Sequence, residues 1–427
     1  MNYKEARVYL DEVSKYGSVL GLDPIRELLG ELGNPQEHLK FIHIAGTNGK
    51  GSILACASEI LTAAGYKTGR YVSPTVIDYL ERIQVDGRWI SEEEFTPLVM
   101  EVKDAVTRME KRGLSSPTVF EVETAIAFLY FRNKNCDFVV LETGLGGLLD
   151  ATNIVENTVA AVFATISRDH MAFLGDTIHE IAVNKAGIIK NGCAVVTSMQ
   201  NKEAMEVLEE KALSCGSIVY VEDQSKIEMI AENYKEQIFT YKEWKELKVP
   251  LAGRYQMNNA VTVLGLVRAL REKGYVITDE AVRTGFLNVK WPGRFTCIGE
   301  NPVFIVDGAH NEDAALRLRE SVEHYFTGKK LIFIMGVFKD KEYEKIAKIM
   351  APLAHTILTV NLPDENRTLS AGELSKTVEV YCGHVETVGE IEDAVQRAFA
   401  LADPDDVILS FGSLSYLGRV MKAVMQK

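Results

Sequence analysis

The chain has 427 residues, 47% of them hydrophobic and 25% charged, with a formal net charge of -13. This is globular composition at a length that suits two or three domains, and the acidity excludes an electrostatic nucleic-acid binder. No stretch approaches the roughly 18 apolar residues of a membrane span, and the N-terminal Met-Asn-Tyr-Lys-Glu-Ala-Arg has no apolar leader, so a cytoplasmic protein away from membranes is expected.

Phe41 to Ala45 reads as a strand, followed by a glycine-rich turn and a helix from about Ser52 to Ala64. Phe138 to Leu141, Val159 to Ile166 and Ala194 to Thr197 read as further buried strands, with helices around Val122 to Phe131 and Ile178 to Ile188. Strands that are apolar throughout, separated by helices, imply a parallel sheet covered on both faces. A second α/β series follows Trp291-Pro292-Gly293-Arg294, with strands at Val303 to Val306, Leu331 to Met335, Ile357 to Val360 and Val407 to Ser410. Its helices include Asp340 to Met350 and Ile391 to Ala402. The expected organisation is a P-loop ATPase-like domain over residues 1–295 and a smaller Rossmann-like α/β domain over 296–427. The six cysteines, Cys56, Cys136, Cys193, Cys215, Cys297 and Cys382, show no C-x-x-C spacing and are expected to be reduced thiols.

The strongest local signal is Ala45-Gly46-Thr47-Asn48-Gly49-Lys50-Gly51-Ser52, which leaves a predicted strand and opens a predicted helix. Glycines let the backbone curl so that several N–H groups face one anion, the helix N-terminus adds partial positive charge, and Lys50 supplies a full one. The pattern is not a Walker A: only Thr47 and Asn48 separate Gly46 from Gly49, and Gly51 stands between the lysine and Ser52.

Asp137 to Glu142 is an apolar strand ending in a carboxylate, Ser73 follows the strand-like Gly69-Arg70-Tyr71-Val72, and His170 follows Ala164 to Asp169. Ligands of open α/β sheets sit beyond the carboxyl ends of the strands, so these three could share one rim and hold a nucleotide-bound Mg²⁺. Each also has an ordinary structural reading: a turn serine, a solvated strand end, a capping or packing histidine. Lys185, on the apolar helix Ile178 to Ile188, reads from its residues alone as a surface lysine with its stem laid along the helix.

The ordered set of motifs resembles the folylpolyglutamate synthase and dihydrofolate synthase branch of the Mur-ligase superfamily. The matching segments are Gly46 to Ser52, Leu141-Glu142-Thr143-Gly144-Leu145-Gly146-Gly147 with Leu149 to Asn153, Asp169-His170, Leu174 to Thr177, and Lys185 to Lys190. In the second half they are Trp291 to Phe295, Asp307-Gly308-Ala309-His310-Asn311 and Phe411 to Leu414. The resemblance implies an ATP-dependent ligase that adds L-glutamate to the γ-carboxylate of a folate through an acyl phosphate, with or without dihydrofolate synthase activity on dihydropteroate. It implies that Gly46, Thr47, Asn48, Gly49, Lys50, Gly51 and Ser52 hold ATP phosphates, and that Asn259, Arg294, Asp307 and His310 close over the nucleotide. Ser73, Glu142 and His170 would bind one Mg²⁺, and Lys185, carbamylated, a second. Arg82 and Asp150 would lie near the folate and Ser413 near glutamate. Lys50, Lys185 and His170 would be the catalytic residues of a monomeric enzyme. Thr75, Leu148, Ser167-Arg168 and Tyr255 depart from the family pattern without removing a phosphate or metal ligand. The alternatives are a dihydrofolate synthase alone, or a P-loop nucleotide-binding regulatory protein without ligase activity.

Overall fold

The computed structural model describes residues 1–14, 21–168 and 174–426. The chain divides into two compact units, one of Met1–Ser73, Leu80–Ile227 and Asn258–Val289, the other of Pro74–Tyr79, Glu228–Met257 and Lys290–Lys427.

The first unit is built on eight strands: β1 (Phe41–Ala45), β2 (Thr68–Tyr71), β3 (Ile83–Val85), β4 (Arg88–Trp89), β5 (Phe138–Glu142), β6 (Thr158–Phe163), β7 (Ala194–Ser198) and β8 (Ile218–Glu222). Their spatial order is β4-β3-β2-β5-β1-β6-β7-β8. From β2 to β8 all neighbours are parallel, whereas β3 and β4 run antiparallel at one edge. Every residue of β1, β5 and β7 is buried. That is why these strands read as unbroken apolar runs: helices cover both faces and leave no polar side. The edge pair escapes such a reading, since β4 is two exposed residues. The helix Lys50–Ala63 is buried along nearly its whole length. The helix Asp279–Asn288 lies against it through Gly285, where an added Cβ would fall 2.5 Å from Ile60 Cα.

After β1 the chain lays down β2 and β5 on one side, then turns to β6, β7 and β8 on the other. The reversal occurs at β1, whose two neighbours are β5 and β6. Such a switch point opens a crevice beyond the carboxyl ends of the strands.

The second unit carries a three-stranded antiparallel sheet, β9 (Glu228–Glu232), β10 (Gln237–Tyr241) and β11 (Trp244–Val249). Its main sheet comprises β12 (Thr296–Glu300), β13 (Val303–Asp307), β14 (Leu331–Met335), β15 (Thr356–Val360), β16 (Val385–Gly389) and β17 (Val407–Phe411), ordered β12-β13-β17-β14-β15-β16. Only β12 is antiparallel to its neighbour. Alternate residues feed two separate cores: Ile305, Phe333 and Leu409 into one, Phe304, Ile332 and Ile408 into the other. The period-two pleat distributes them, and helices cap both layers. The α/β class expected for both units is the class observed.

Candidate active site

The phosphate-loop segment leaves β1 and enters the helix Lys50–Ala63 at Gly49, which has φ +100° and makes no side-chain cap bond to the first turn. The early N–H groups of a helix have no intrahelical acceptor, so an N-terminus without a capping side chain is disposed to take an anion. The loop is pinned on the β6 side. Thr47 N donates to Thr165 O at 2.7 Å, and Thr47 Oγ1 donates to Ser167 O at 2.8 Å while accepting from Ser167 N at 3.1 Å. Gly46 permits this approach, because a Cβ there would meet Ala164 Cβ at 2.7 Å. Gly49 likewise makes room for Asn259, whose Oδ1 would be 2.4 Å from an added Cβ. Ser52 and Gly51 are buried beneath the loop.

Two ammonium groups meet at one backbone oxygen. Lys50 Nζ donates to Gly46 O at 3.1 Å and to Thr47 O at 3.3 Å; Lys185 Nζ donates to the same Gly46 O at 2.9 Å. The reading of Lys185 as a surface lysine is therefore corrected: the residue is 3% exposed. Its helix, Ile178–Ala186, buries Ile181, Ala182, Lys185 and Ala186, and the i, i+4 relation to Ile181 turns Lys185 inward.

Glu142 ends β5 opposite Ile44 of β1 and is 6% exposed. Ser73 stands two residues beyond Tyr71, the β2 partner of Leu141. Glu142 thus ends the strand next to β1, and Ser73 follows the strand one further out on the same side. His170 lies outside the described residues. Among the described residues no three His, Cys, Asp or Glu side chains gather into a metal cage. A hydroxyl and a carboxylate at the ends of neighbouring parallel strands are nevertheless oxygen donors of the kind Mg²⁺ takes, since that ion keeps waters and phosphate oxygens as its remaining ligands.

The glycine-rich stretch after β5 packs on the helix that carries Lys185. Leu148 N donates to Asn184 O at 2.8 Å. A Cβ on Gly147 would lie 2.8 Å from Lys185 O, and one on Gly187 would lie 2.5 Å from Leu148 Cα. Leu148 keeps its side chain outward, 46% exposed. Asp150 is buried and locally engaged: Oδ2 accepts from Leu145 N at 2.7 Å, and Oδ1 accepts from Thr152 N at 3.0 Å and from the Thr152 hydroxyl. Burial pushes the Asp150 carboxyl up, and these hydrogen bonds oppose the shift. Arg82, at the end of the turn Tyr79–Arg82, forms an ion pair with Glu123 on the helix Val119–Asn133.

In the second unit Asp307 ends β13 opposite Phe411, the last residue of β17. The segments Gly308–Asn311 and Gly412–Leu414 therefore leave adjacent strand ends. Asp307 is buried; its oxygens accept from Phe295 N at 2.7 Å and Ala309 N at 2.8 Å, with Tyr255 OH at 3.5 Å. Burial pushes its carboxyl up, and Arg294 is the largest opposing influence. Gly308 lets the Arg294 guanidinium approach, since a Cβ there would meet Nη1 at 2.3 Å. His310 Nδ1 lies 2.7 Å from Gly308 O. Ser413 is buried, its Oγ accepting from Ser415 N at 3.3 Å. Tyr255, one of the departures in sequence, thus sits on Asp307, and burial followed by that carboxylate raises its hydroxyl pKa.

A phosphate-loop unit on a doubly wound sheet, with a second α/β unit bearing an Asp-Gly-Ala-His-Asn turn, is the build of a Mur ligase. Residues 44–267 match the Mur ligase middle domain and residues 293–414 the Mur ligase glutamate ligase domain. The chain is 33% identical over 432 residues to the dihydrofolate synthase/folylpolyglutamate synthase of Bacillus subtilis, with 98% of each covered. The crystal structure of folylpolyglutamate synthase from Thermotoga maritima matches with a TM-score of 0.86 and 32% identity, over 99% of this chain and 96% of that one. E. coli FolC in complex with DHPP and ADP matches with a TM-score of 0.86 and 28% identity, over 100% and 98%. The chain belongs to the folylpolyglutamate synthase/dihydrofolate synthase family of the Mur-ligase superfamily.

In sequence His43 is a histidine in an apolar strand, and Thr152 is one residue of the matched segment Leu149 to Asn153 with no role assigned to it. Both are fully buried, with His43 Nε2 2.9 Å from Thr152 Oγ1.

Proposed function

We propose that the chain is an ATP-dependent ligase that joins L-glutamate to the carboxylate of a folate, and that it also accepts dihydropteroate. The likeness along 98% of a relative named for both activities carries this reading. The acceptor carboxylate attacks the γ-phosphorus of ATP, giving an acyl phosphate and ADP. The glutamate amine then attacks the acyl carbon, loses its proton, and phosphate leaves as the amide forms. The loop Gly46–Ser52 and Lys50 hold the phosphates, and Lys50 neutralises charge as it gathers on the transferred group. Asn259, Arg294, Asp307 and His310 are the further residues assigned to ATP, Arg82 and Asp150 those assigned to the folate, and Ser413 that assigned to glutamate.

Mg²⁺ suits the oxygen donors at these strand ends: Ser73 and Glu142, with His170, would hold one ion. Lys185 as its carbamate would hold a second. When bound, the ions supply charge neutralisation at the phosphoryl oxygens. Support for a carbamate comes from the burial of Lys185 at the Gly46 carbonyl, where a permanent ammonium beside two divalent cations would be repelled. The six free thiols suit action in the reducing cytoplasm.

The test is mass spectrometry of products after incubation with ATP, Mg²⁺, glutamate and either dihydropteroate or a reduced folate. A gain of one glutamyl residue on either acceptor, matched by ADP, is expected. Product from dihydropteroate alone would reduce the reading to a dihydrofolate synthase. ATP hydrolysis without any glutamylated product would overturn it in favour of a nucleotide-binding regulatory protein.

A further inference from the structure

A buried polar series connects the strand that feeds the phosphate loop to the glycine-rich stretch after β5. Thr152 Oγ1 gives its single proton to Asp150 Oδ1. It can then only accept from His43 Nε2, 2.9 Å away, so that nitrogen carries the imidazole hydrogen. His43 Nδ1 is left as a buried lone pair with no partner, which suits a neutral ring. Burial, with the charge of Lys190 behind it, pushes the imidazole down to about 3. The Asp150 oxygens face donors, Leu145 N, Thr152 N and Thr152 Oγ1, as a carboxylate requires.

The series spans three pieces of the site. His43 is two residues from the end of β1, where Gly46 begins. Asp150 fixes Leu145 at the start of the glycine-rich stretch and closes it at Thr152. Between these anchors Gly147 lies on the Lys185 and Asn184 carbonyls, and Leu148 N donates to Asn184 O. Lys185 in turn reaches back to Gly46 O. The result is a closed circuit: phosphate-loop strand, His43, Thr152, Asp150, glycine-rich stretch, Lys185 helix, phosphate loop.

We infer that His43 and Thr152 are positioning residues: acting through Asp150 and the glycine-rich stretch, they set the Lys185 helix at its distance from the phosphate loop. Both side chains are fully buried and are engaged with each other and with Asp150. The inference rests on the proposed role of Lys185 at a metal. It assigns Asp150 a task, holding the loop, that is distinct from contact with the acceptor. A buried apolar pair at positions 43 and 152 would pack equally well but would impose no direction on the loop, because hydrogen bonds to a carboxylate fix angle as well as separation.

The test uses the full chain. Selectively ¹⁵N-histidine-labelled protein should show the His43 ring as the neutral Nε2–H tautomer. Thr152→Val keeps shape and removes the hydroxyl, and should lower kcat roughly 10- to 100-fold, the scale of a small misplacement of catalytic groups. The half-saturating Mg²⁺ concentration should rise with it, and Thr152→Ser should restore both. A neutral Nδ1–H tautomer or an imidazolium at neutral pH would overturn the series whatever the kinetics. Unchanged kcat and Mg²⁺ dependence in Thr152→Val, or a loss that Thr152→Ser does not repair, would overturn the positioning role. Should Thr152→Val fail to fold, Thr152→Ala, which also removes the hydroxyl, is judged by the same kcat and Mg²⁺ measurements against Thr152→Ser. Lys185→Ala separates the two levels: an unchanged Mg²⁺ dependence there would remove the metal reading of Lys185, on which the positioning role rests, while the tautomer result would stand by itself.

Discussion

Two strand–turn–helix junctions stand on the same parallel sheet and end differently. At β7 the chain passes through Met199, Gln200 and Asn201 into the helix Lys202–Ser214. Asn201 Oδ1 accepts from Ala204 N at 2.9 Å and caps the helix. Gln200 Nε2 donates to Ala164 O at 3.1 Å, and its Oε1 accepts from Ile166 N at 3.0 Å. At β1 the turn is Gly46 to Gly49, and the helix that follows has no capping side chain. The β7 junction spends its polar side chains on its own backbone and on the neighbouring loop. The β1 junction also ties Thr47 to the neighbouring loop, but it caps its helix with no side chain and brings in Lys50 and Lys185. Architecture is therefore common property of the sheet, and local sequence decides which crevice can take an anion: one helix N-terminus is closed by its own residues, the other is open.

This contrast can be broken most severely at Lys50. Lys50→Ala should cut kcat by roughly 10²- to 10³-fold, as loss of a charge-stabilising donor does. Thermal unfolding should be unaltered, because the ammonium bonds loop carbonyls and not the core. Full activity in the folded variant would remove the phosphate assignment of the open junction.

Lys185→Ala should come next. Turnover should fall on the order of 10²-fold, and short-chain carboxylic acids that fill the vacated space should restore part of it. A variant that works normally without added acid, or one that no acid rescues, would count against the carbamate.

At Glu142 the expected effect is smaller and more specific. Glu142→Gln keeps size and hydrogen bonding but removes a charge, and should raise the half-saturating Mg²⁺ concentration by about tenfold. A Mg²⁺ titration superimposing on that of the parent would leave Glu142 as a strand-end carboxylate.

The closed junction supplies the smallest effect. Asn201→Ala should cost about 1 kcal/mol in urea unfolding through the lost cap and leave kcat and the KM for ATP unchanged. A kinetic defect there, with stability intact, would erase the distinction between the two junctions.

Parts of the site were legible in sequence because the chemistry is local. Glycines, lysine and strand–helix context lie within eight consecutive residues from Ala45 to Ser52, and a carboxylate at the end of an apolar strand points to the rim of an α/β sheet. Other parts were not. The β9–β11 sheet belongs with the second unit although it falls between segments of the first. Its strand β9 is mostly exposed and offers no apolar run to read. From its own segment Lys185 reads as a surface lysine, because a lysine on a helix usually faces water, and only the resemblance assigns it to the site. The acceptor that turns it inward, Gly46 O, is 139 positions away. His43 and Thr152 are 109 apart, and His43 stands between two isoleucines with nothing beside it to announce the bond.

What the sequence by itself determined was the α/β class, both strand series and the order of the motifs, since burial on two faces writes apolar runs and tight turns write glycines. The motif order also led to the ligase family. Tertiary structure alone decided which strand ends are neighbours. Parallel pairing places β5 and β6 on either side of β1, and through that order Glu142, the Gly46 loop and Thr165 become adjacent. It also decided which buried polar groups find one another. A hydrogen bond across the core depends on register and on the depth of each side chain, and composition and spacing carry neither.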